Sequence, residues 1–375
     1  MFTSADHAFM TQALRLAEQG LYTTTPNPRV GCVIVKDGMV VGEGAHLKAG
    51  EPHAEVHALR QAGDKARGAE VYVTLEPCSH HGRTPPCADA LVKAGVTRVV
   101  AAMQDPNPKV AGTGLALLQA QGIATSAGLM QMQAEALNAG FISRMTRGLP
   151  FVRSKIAASL DGRTALANGD SKWITGDESR LDVQHWRARS CAILTGVGTV
   201  LADDPRMNVR EVGALTQGSP NPADARQPLR VIVDSSLRIS PDAKVLQDGH
   251  ALIVYSSNPH NKRAVLQQTG ATLLELPNEQ GNVCLKSLLQ ALAQREINEL
   301  MVEAGQGVNG ALLNQGLIDE FLLYYAPVLM GSAAKGMFDI ASLSDMQLRT
   351  QLQIMELLQI GNDIRIRAKP LPPHS

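Results

Sequence analysis

Aromatic side chains make up only 3% of the chain, and its 35 basic residues are matched by 35 acidic ones. A track for RNA or DNA needs the opposite, an excess of cations interleaved with stacking rings, so a nucleic-acid substrate is disfavoured. No apolar run approaches the ~18 residues of a bilayer-spanning helix, so no membrane association is expected. The N-terminus opens on Thr3, Ser4 and Asp6, not on a cationic stretch followed by an apolar one, and no secretory leader is expected. Five cysteines in 375 residues, an odd number, exclude a disulfide framework and point to a reducing, cytoplasmic setting.

That length exceeds one ordinary core and suggests two domains. Gly148-Leu149-Pro150 is a turn-rich break after a helical stretch, which places a first domain at 1–148 and a second at 149–375.

Two of the five cysteines stand where burial alone would hardly select them. Cys78 and Cys87 each follow a proline in a polar loop, downstream of His53-Ala54-Glu55. One imidazole and two thiolates suit zinc, and three protein ligands leave a fourth position for water, as at catalytic rather than closed structural zinc. The order H-x-E, then P-C, then a second Cys is that of zinc deaminases, in which the Glu carries protons and does not bind metal. The expected site is therefore one zinc on His53, Cys78 and Cys87, with Glu55 as proton donor and acceptor. His53 and His57, four apart, form a second possible metal pair. His80 or His81 could close the site with a fourth ligand, as in a zinc-stabilised regulatory protein without turnover. Cys32, Cys191 and Cys284 read as small core hydrophobes.

Along the first half, Ser4 or Asp6 caps a helix ending near Gly20. Val30–Val35 and Met39–Glu43 form a hairpin about Lys36-Asp37-Gly38, and a helix runs from His53 to Leu59. A strand over Glu70–Leu75 delivers Pro77-Cys78 to the start of a helix, Cys87 opens another, and Arg98–Met103 is a strand. Strands alternating with helices predict an α/β layer. Helix N-termini at His53, Glu55 and Cys78 would favour thiolate over thiol. Asn27 and Asn107 lie in Asn-Pro turns at strand ends, where an amide either reads a base edge or simply suits the turn.

In the second half, Phe151–Ala158 is a strand carrying Lys155, read as a lysine on a strand edge. Gly305-Gln306-Gly307-Val308-Asn309-Gly310 falls between the strand Leu300–Glu303 and the helical stretch Ala311–Gln315. Glycines there let a backbone approach a phosphate at a helix N-terminus, although a tight turn explains such a match about as well. A Rossmann fold is rejected, since no ribose-binding acid follows at the required distance.

These motifs resemble the bifunctional deaminase-reductases of riboflavin biosynthesis. The resemblance rests on Thr25-Pro26-Asn27-Pro28, the stretch from His53 to Leu59, Thr74-Leu75-Glu76-Pro77-Cys78-Ser79-His80 with Gly82 to Cys87, and Asp105-Pro106-Asn107-Pro108. In the second half it rests on Ala158 to Arg163, Ser171 to Thr175, Gly198 to Pro205 and Val302-Glu303-Ala304-Gly305. Only Gly213–Gln227 and the tail after Lys369 fall outside it; both read as loop or disordered. The resemblance implies an α/β chain with an N-terminal cytidine-deaminase-like three-layer domain and a C-terminal dihydrofolate-reductase-like domain using NADPH. The substrates would be pyrimidine ribotides, deaminated in the first domain and reduced from ribosyl to ribityl in the second. Asn27, His46, Arg83 and Asn107 would bind the first substrate, and Ser171, Arg187, Met207, Arg210 and Glu303 the second. Ala157, Trp173, Thr199, Asp203, Ser235, Gly305, Gln306, Gly307, Val308, Asn309, Gly310 and Ala311 would line the cofactor. Lys155 becomes a candidate to hold the second substrate or relay its proton, and the assembly is expected to be a dimer or tetramer.

Overall fold

The computed structural model describes residues 2–79, 86–108, 110–210 and 226–372. The chain divides into two compact units, one ending at Leu149 and the other beginning at Pro150. Among the described residues no helix is long and apolar enough to cross a membrane.

The first unit opens with helix α1 (Ser4–Glu18). Its cap is Thr3 rather than Ser4 or Asp6. The Thr3 hydroxyl accepts from the Asp6 N–H (3.1 Å) while the Asp6 carboxylate accepts from the Thr3 N–H (2.7 Å), a reciprocal capping box that leaves Asp6 three residues inside. Strands β1 (Gly31–Lys36) and β2 (Met39–Ala45) form the expected hairpin, with Asp37 and Gly38 both at positive φ (51° and 75°). That pair of dihedrals matches the right-handed strand twist, which is why Asp-Gly serves here. There follow α2 (Ala54–Ala62), β3 (Glu70–Val73), α3 (Cys87–Ala94), β4 (Arg98–Ala101), α4 (Thr113–Ala120), β5 (Ala124–Ala127), α5 (Gln131–Leu137) and α6 (Ala139–Arg147).

The sheet order is β2-β1-β3-β4-β5, antiparallel across β2-β1-β3 and parallel across β3-β4-β5. Glycines show how tightly the helices sit. A Cβ on Gly31 would lie 2.0 Å from the Ala13 carbonyl of α1, and one on Gly44 2.1 Å from the Ala54 carbonyl of α2. Because Cys32 pairs with Gly44 and Gly31 with Ala45, these glycines point to opposite faces. The sheet is thus sandwiched between α1 and α2, the three-layer arrangement expected.

The second unit contains β6 (Phe151–Ser159), β7 (Arg163–Ala165), α7 (Asp177–Arg189), β8 (Ala192–Gly196), α8 (Val197–Asp203), β9 (Leu229–Val233), β10 (Ala251–Tyr255), α9 (Arg263–Gln268), β11 (Thr272–Glu275), α10 (Leu285–Gln294), β12 (Glu299–Val302), α11 (Gln306–Asn314), β13 (Glu320–Ala326), β14 (Lys335–Gly336), β15 (Leu352–Ile360) and β16 (Asp363–Pro370). Its nine-stranded sheet runs β11-β10-β9-β8-β12-β6-β13-β16-β15. The seven strands from β11 to β13 are mutually parallel, and the β15–β16 hairpin closes the edge antiparallel. Parallel strands covered on both faces need continuous apolar runs, which Ala251–Tyr255 supplies.

Three expectations are corrected here. β6 lies between β12 and β13, so Lys155 is on an interior strand, not an edge; pairing over a separation of ~150 residues is invisible in local sequence. The glycine run after β12 is not a turn preceding a helix: α11 starts at Gln306 and takes in Gly307 and Gly310. Gly310 is required by proximity, since a Cβ there would stand 2.0 Å from the Asp339 carbonyl. Pro370 ends β16 and is not tail. Residues 211–225, most of the stretch read as loop, lie outside the described residues.

Candidate active sites

His53 is the residue before α2, Glu55 lies in that helix's first turn, and Cys87 is the first residue of α3. Cys78 is in the loop after β3 and opens no helix, contrary to the sequence reading. Its thiolate gains the helix end from outside, because the backbone N–H of Cys87 donates to Cys78 Sγ (3.3 Å). His53 Nδ1 is 3.7 Å from Cys78 Sγ and 3.3 Å from Cys87 Sγ, and the three ligand atoms lie within 4.8 Å of one another.

A tetrahedral zinc with Zn–N of ~2.05 Å and Zn–S of ~2.3 Å would set nitrogen and sulfur about 3.6 Å apart, so the donors fit that ion in kind and in spacing. His57 is no part of the group. Hydrogen bonding to Cys87, with His53 beside it, pushes the Cys78 thiol down; the same contact with Cys78, followed by burial, pushes the Cys87 thiol up. Glu55 is 3% exposed, and burial raises its carboxyl pKa, opposed by its own backbone N–H and by His53. A carboxyl held toward its protonated form next to a water-activating site is suited to carrying a proton in both directions.

His46 is buried with its ring edge-on to His53, centroids 5.3 Å apart. Its Nδ1 donates to the Pro52 carbonyl (3.2 Å) and its Nε2 accepts from Asn27 Nδ2 (3.1 Å), which fixes one neutral tautomer. Burial lowers its pKa to the same effect. Asn27 is therefore oriented by His46 and held in place from α5 and α6. Arg29 N–H donates to Asn138 Oδ1 (2.8 Å), Asn138 Nδ2 returns to the Arg29 carbonyl (2.9 Å), and Arg144 donates to the Pro26 carbonyl (3.1 Å). None of these supports was foreseen. Asn107 N–H donates to Asp105 Oδ1 (2.8 Å) in a loop that leads into α4. Arg83, His80 and His81 lie outside the described residues.

In the second unit, side-chain alternation sets Arg153, Lys155 and Ala157 on one face of β6, with Met301 of β12 paired to Arg153 and Tyr324 of β13 paired to Ala157. Glu303, one residue past β12, reaches that face. Arg187 of α7 grips it with two parallel bonds, Nε–Oε1 2.7 Å and Nη2–Oε2 2.8 Å. Burial lowers the Lys155 pKa; Glu303 opposes this and Arg187 adds to it. The Lys155 ammonium stands 5.8 Å from the Tyr324 ring centre. Arg210 donates to Asn208 Oδ1 (3.0 Å), and Arg187 to the Asn208 carbonyl (3.2 Å). Lys155, Arg187, Glu303 and Arg210 thus form one electrostatic group. Met207 has its side chain in the hydrophobic core and offers that group only backbone, at φ 51°.

Of the expected cofactor residues, Gly305 caps α11 with no side chain over the helix end, leaving first-turn N–H groups directed outward. Thr199 Oγ1 lies 4.0 Å from where a Gly305 Cβ would stand, and Val308 is held against Gly196. Ser171 Oγ donates to Asp203 Oδ1 (3.4 Å), and exposed Trp173 stacks on Arg180 at 4.6 Å. Ser235 follows β9, its hydroxyl accepting from the Val283 N–H (3.4 Å). Asn309 is different: it is buried and its amide is spent on Ser154 Oγ (3.0 Å) and the Ala304 carbonyl (2.9 Å), so its side chain serves the fold.

Comparison with known proteins matches residues 150–366 to the family described as RibD C-terminal domain. Residues 3–103 match the cytidine and deoxycytidylate deaminase zinc-binding region. The riboflavin biosynthesis protein RibD of Escherichia coli (strain K12) is 50% identical over 361 residues, covering 96% of this chain and 98% of its own. That of Haemophilus influenzae is 48% identical over 371 residues, with 98% of each chain covered. Among solved structures, Acinetobacter baumannii RibD superposes with a TM-score of 0.91 at 47% identity, covering 98% of this chain and 99% of the other. A Thermotoga maritima diaminohydroxyphosphoribosylaminopyrimidine deaminase/5-amino-6-(5-phosphoribosylamino)uracil reductase gives 0.84 at 31%, with the same coverage.

Proposed function

The chain belongs to the RibD family, bifunctional deaminase-reductases of riboflavin biosynthesis, and from that premise we propose which of its residues carry each reaction. The first unit is a zinc-dependent deaminase and the second a reductase with a nucleotide cofactor. The substrates we assign are those in the name of the Thermotoga relative: the diaminopyrimidinone ribosylamine phosphate, then its deaminated uracil form.

His53, Cys78 and Cys87 would hold zinc, whose share of the chemistry is Lewis-acid activation of water near neutral pH. Glu55 takes a proton from water and passes it to the ring nitrogen as the oxygen adds to the amino-bearing ring carbon, then carries the remaining hydroxyl proton to the departing amine. The C–N bond breaks, ammonia leaves and a carbonyl remains. Asn27, oriented by His46, and Asn107 hold the base edge, and Arg83 is assigned to the phosphate on resemblance alone. In the second unit NADPH would supply hydride to the sugar carbon of the ring-opened ribosyl group, making ribityl. The backbone at the start of α11, with Ala157, Trp173, Thr199, Asp203 and Ser235, positions that cofactor. Arg187 fixes Glu303, these two with Ser171, Met207 and Arg210 place the substrate, and Lys155 holds or relays the proton for the sugar oxygen.

The observation that carries this reading is buried Glu55 two residues from His53 in a three-donor cluster. Glu55→Gln keeps about one zinc per chain and loses ammonia release by roughly 10²–10⁴-fold. A variant retaining both zinc and full ammonia release would sink the mechanism.

Self-association belongs to the same proposal. Edge strand β15 exposes Leu352, Ile354, Met355, Leu357 and Leu358, an uncovered apolar edge of the kind that pairs with another chain. The occupant we assign is a second copy of this chain. Leu357→Lys then shifts sedimentation from dimer toward monomer, and a wild type that sediments as a monomer at micromolar concentration refutes it.

A further inference from the structure

Glu76, the residue before Pro77-Cys78, is a carboxylate only 4% exposed. Among the described residues no cation pairs with it. Instead it accepts four backbone hydrogen bonds: Oε2 from the N–H groups of Asp105 (3.1 Å) and Gly112 (2.9 Å), Oε1 from those of Gly114 (2.8 Å) and Leu115 (3.2 Å). Gly114 and Leu115 are in the first turn of α4, whose N–H groups have no partner within the helix. The capping residue, Gly112, has no side chain to offer them. Glu76 therefore caps α4 from another part of the chain.

Capping explains only part of this arrangement. Asp105 lies eight residues before α4 begins, so its bond to Glu76 does nothing for the helix end; it draws the far side of the loop onto the same carboxylate. Asp105 in turn accepts from the Asn107 N–H (2.8 Å). On the other side α4 is pressed against the metal-ligand segment, since a Cβ on Gly114 would stand 2.0 Å from the Pro77 carbonyl. One carboxylate thus ties the Asn107 turn to the peptide that carries Cys78.

We infer that Glu76 is a positioning residue of the deaminase, setting Asn107 at a fixed distance from the metal ligands so that the pyrimidine is presented in register. The inference rests on the reading of Asn107 as a base-binding residue. Both oxygens must accept, so a carboxylate is required: an amide would turn an NH₂ toward two of the four donors.

The test is a double-mutant cycle on the full chain with the pyrimidine ribotide, using Glu76→Gln and Asn107→Ala, with zinc content and reductase rate measured alongside. Glu76→Gln is expected to raise the deaminase KM about tenfold with kcat changed less than about threefold, zinc near one per chain and the reductase rate unchanged. Combined with Asn107→Ala it should do no more than the worse single variant, because both remove the same contact. Multiplying effects, or a fall in kcat at constant KM, overturn the positioning role while leaving Asn107 assigned. An Asn107→Ala variant with unchanged kcat/KM removes the base-binding reading and this inference with it. Should Glu76→Gln fail to fold, Glu76→Asp, charged but one methylene shorter, replaces it in the cycle; loss of zinc from both marks a structural role only and overturns the proposal.

Discussion

Two groups of buried charge occupy the same face of the same central strands, one toward each end, and they are finished differently. At the N-terminal ends of β6, β12 and β13, Arg153 binds Glu299 (3.2 Å) and Glu320 (3.0 Å). Arg189 adds a second guanidinium to Glu299 (2.7 Å) and Arg367 one to Glu320 (2.9 Å), while Trp186 covers Arg153 with its ring at 4.6 Å. Toward the C-terminal ends, Glu303 has Arg187, and the second cation, Lys155, makes no hydrogen bond or ion pair among the described residues. Neighbouring charge in the first group is consumed by the fold; in the second a desolvated cation keeps its donors unspent among the described residues, as the role proposed for Lys155 in holding substrate requires. Burial of charge alone does not mark a functional site; burial with an unspent donor makes a candidate for one.

The comparison breaks hardest at Arg153. Arg153→Met leaves Glu299 and Glu320 close together and buried with one guanidinium each, and removing one partner from such a network costs about 3–5 kcal/mol. Both tryptophans of the chain, Trp173 and Trp186, lie in the second unit, so urea unfolding followed by tryptophan fluorescence reports that unit alone. A loss below about 1 kcal/mol would mean that the network does not hold the strands. Ammonia release should be untouched.

The same contrast shows what was legible in the sequence. His53, Glu55, Cys78 and Cys87 were readable because a 35-residue stretch carries all of them and their residue types state the chemistry. The Asp37-Gly38 hairpin was readable because its dihedrals demand those residues. Supports spread along the chain were not. Glu76 stands in plain view before Pro77, yet its partners are 29 to 39 residues away and all backbone, which leaves no side-chain signature. Arg153 meets Glu299 and Glu320 across 146 and 167 residues, through a strand order that periodicity does not encode. Gly310 reads from sequence as room for a backbone to approach a phosphate, whereas the fold needs its small size against the Asp339 carbonyl, and Lys155 reads as an edge residue because nothing local reveals the strands on either side.

The smallest expected change in unfolding free energy is at Lys155, and it has the opposite sign. Burial holds the Lys155 pKa below that of an ordinary lysine. In the unfolded chain the amine keeps its proton up to ~10.4. Between the two pKa values the unfolded state binds more protons, so stability contributed by this residue rises with pH across that window. Below the lowered value the amine is charged in both states and the full cost of burying it is present. Lys155→Met removes the charge, so the variant should be at least as stable as wild type below the window, and the difference should shrink as pH approaches ~10.4. Reductase turnover should nonetheless fall by about 10²–10⁴-fold, the usual share of a positioned proton carrier. Fluorescence-monitored unfolding across that pH range, paired with cofactor-oxidation rates, separates the cases. Were Lys155→Met to destabilise the unit as Arg153→Met does, Lys155 would be one more strut, and the two ends of these strands would not differ in kind.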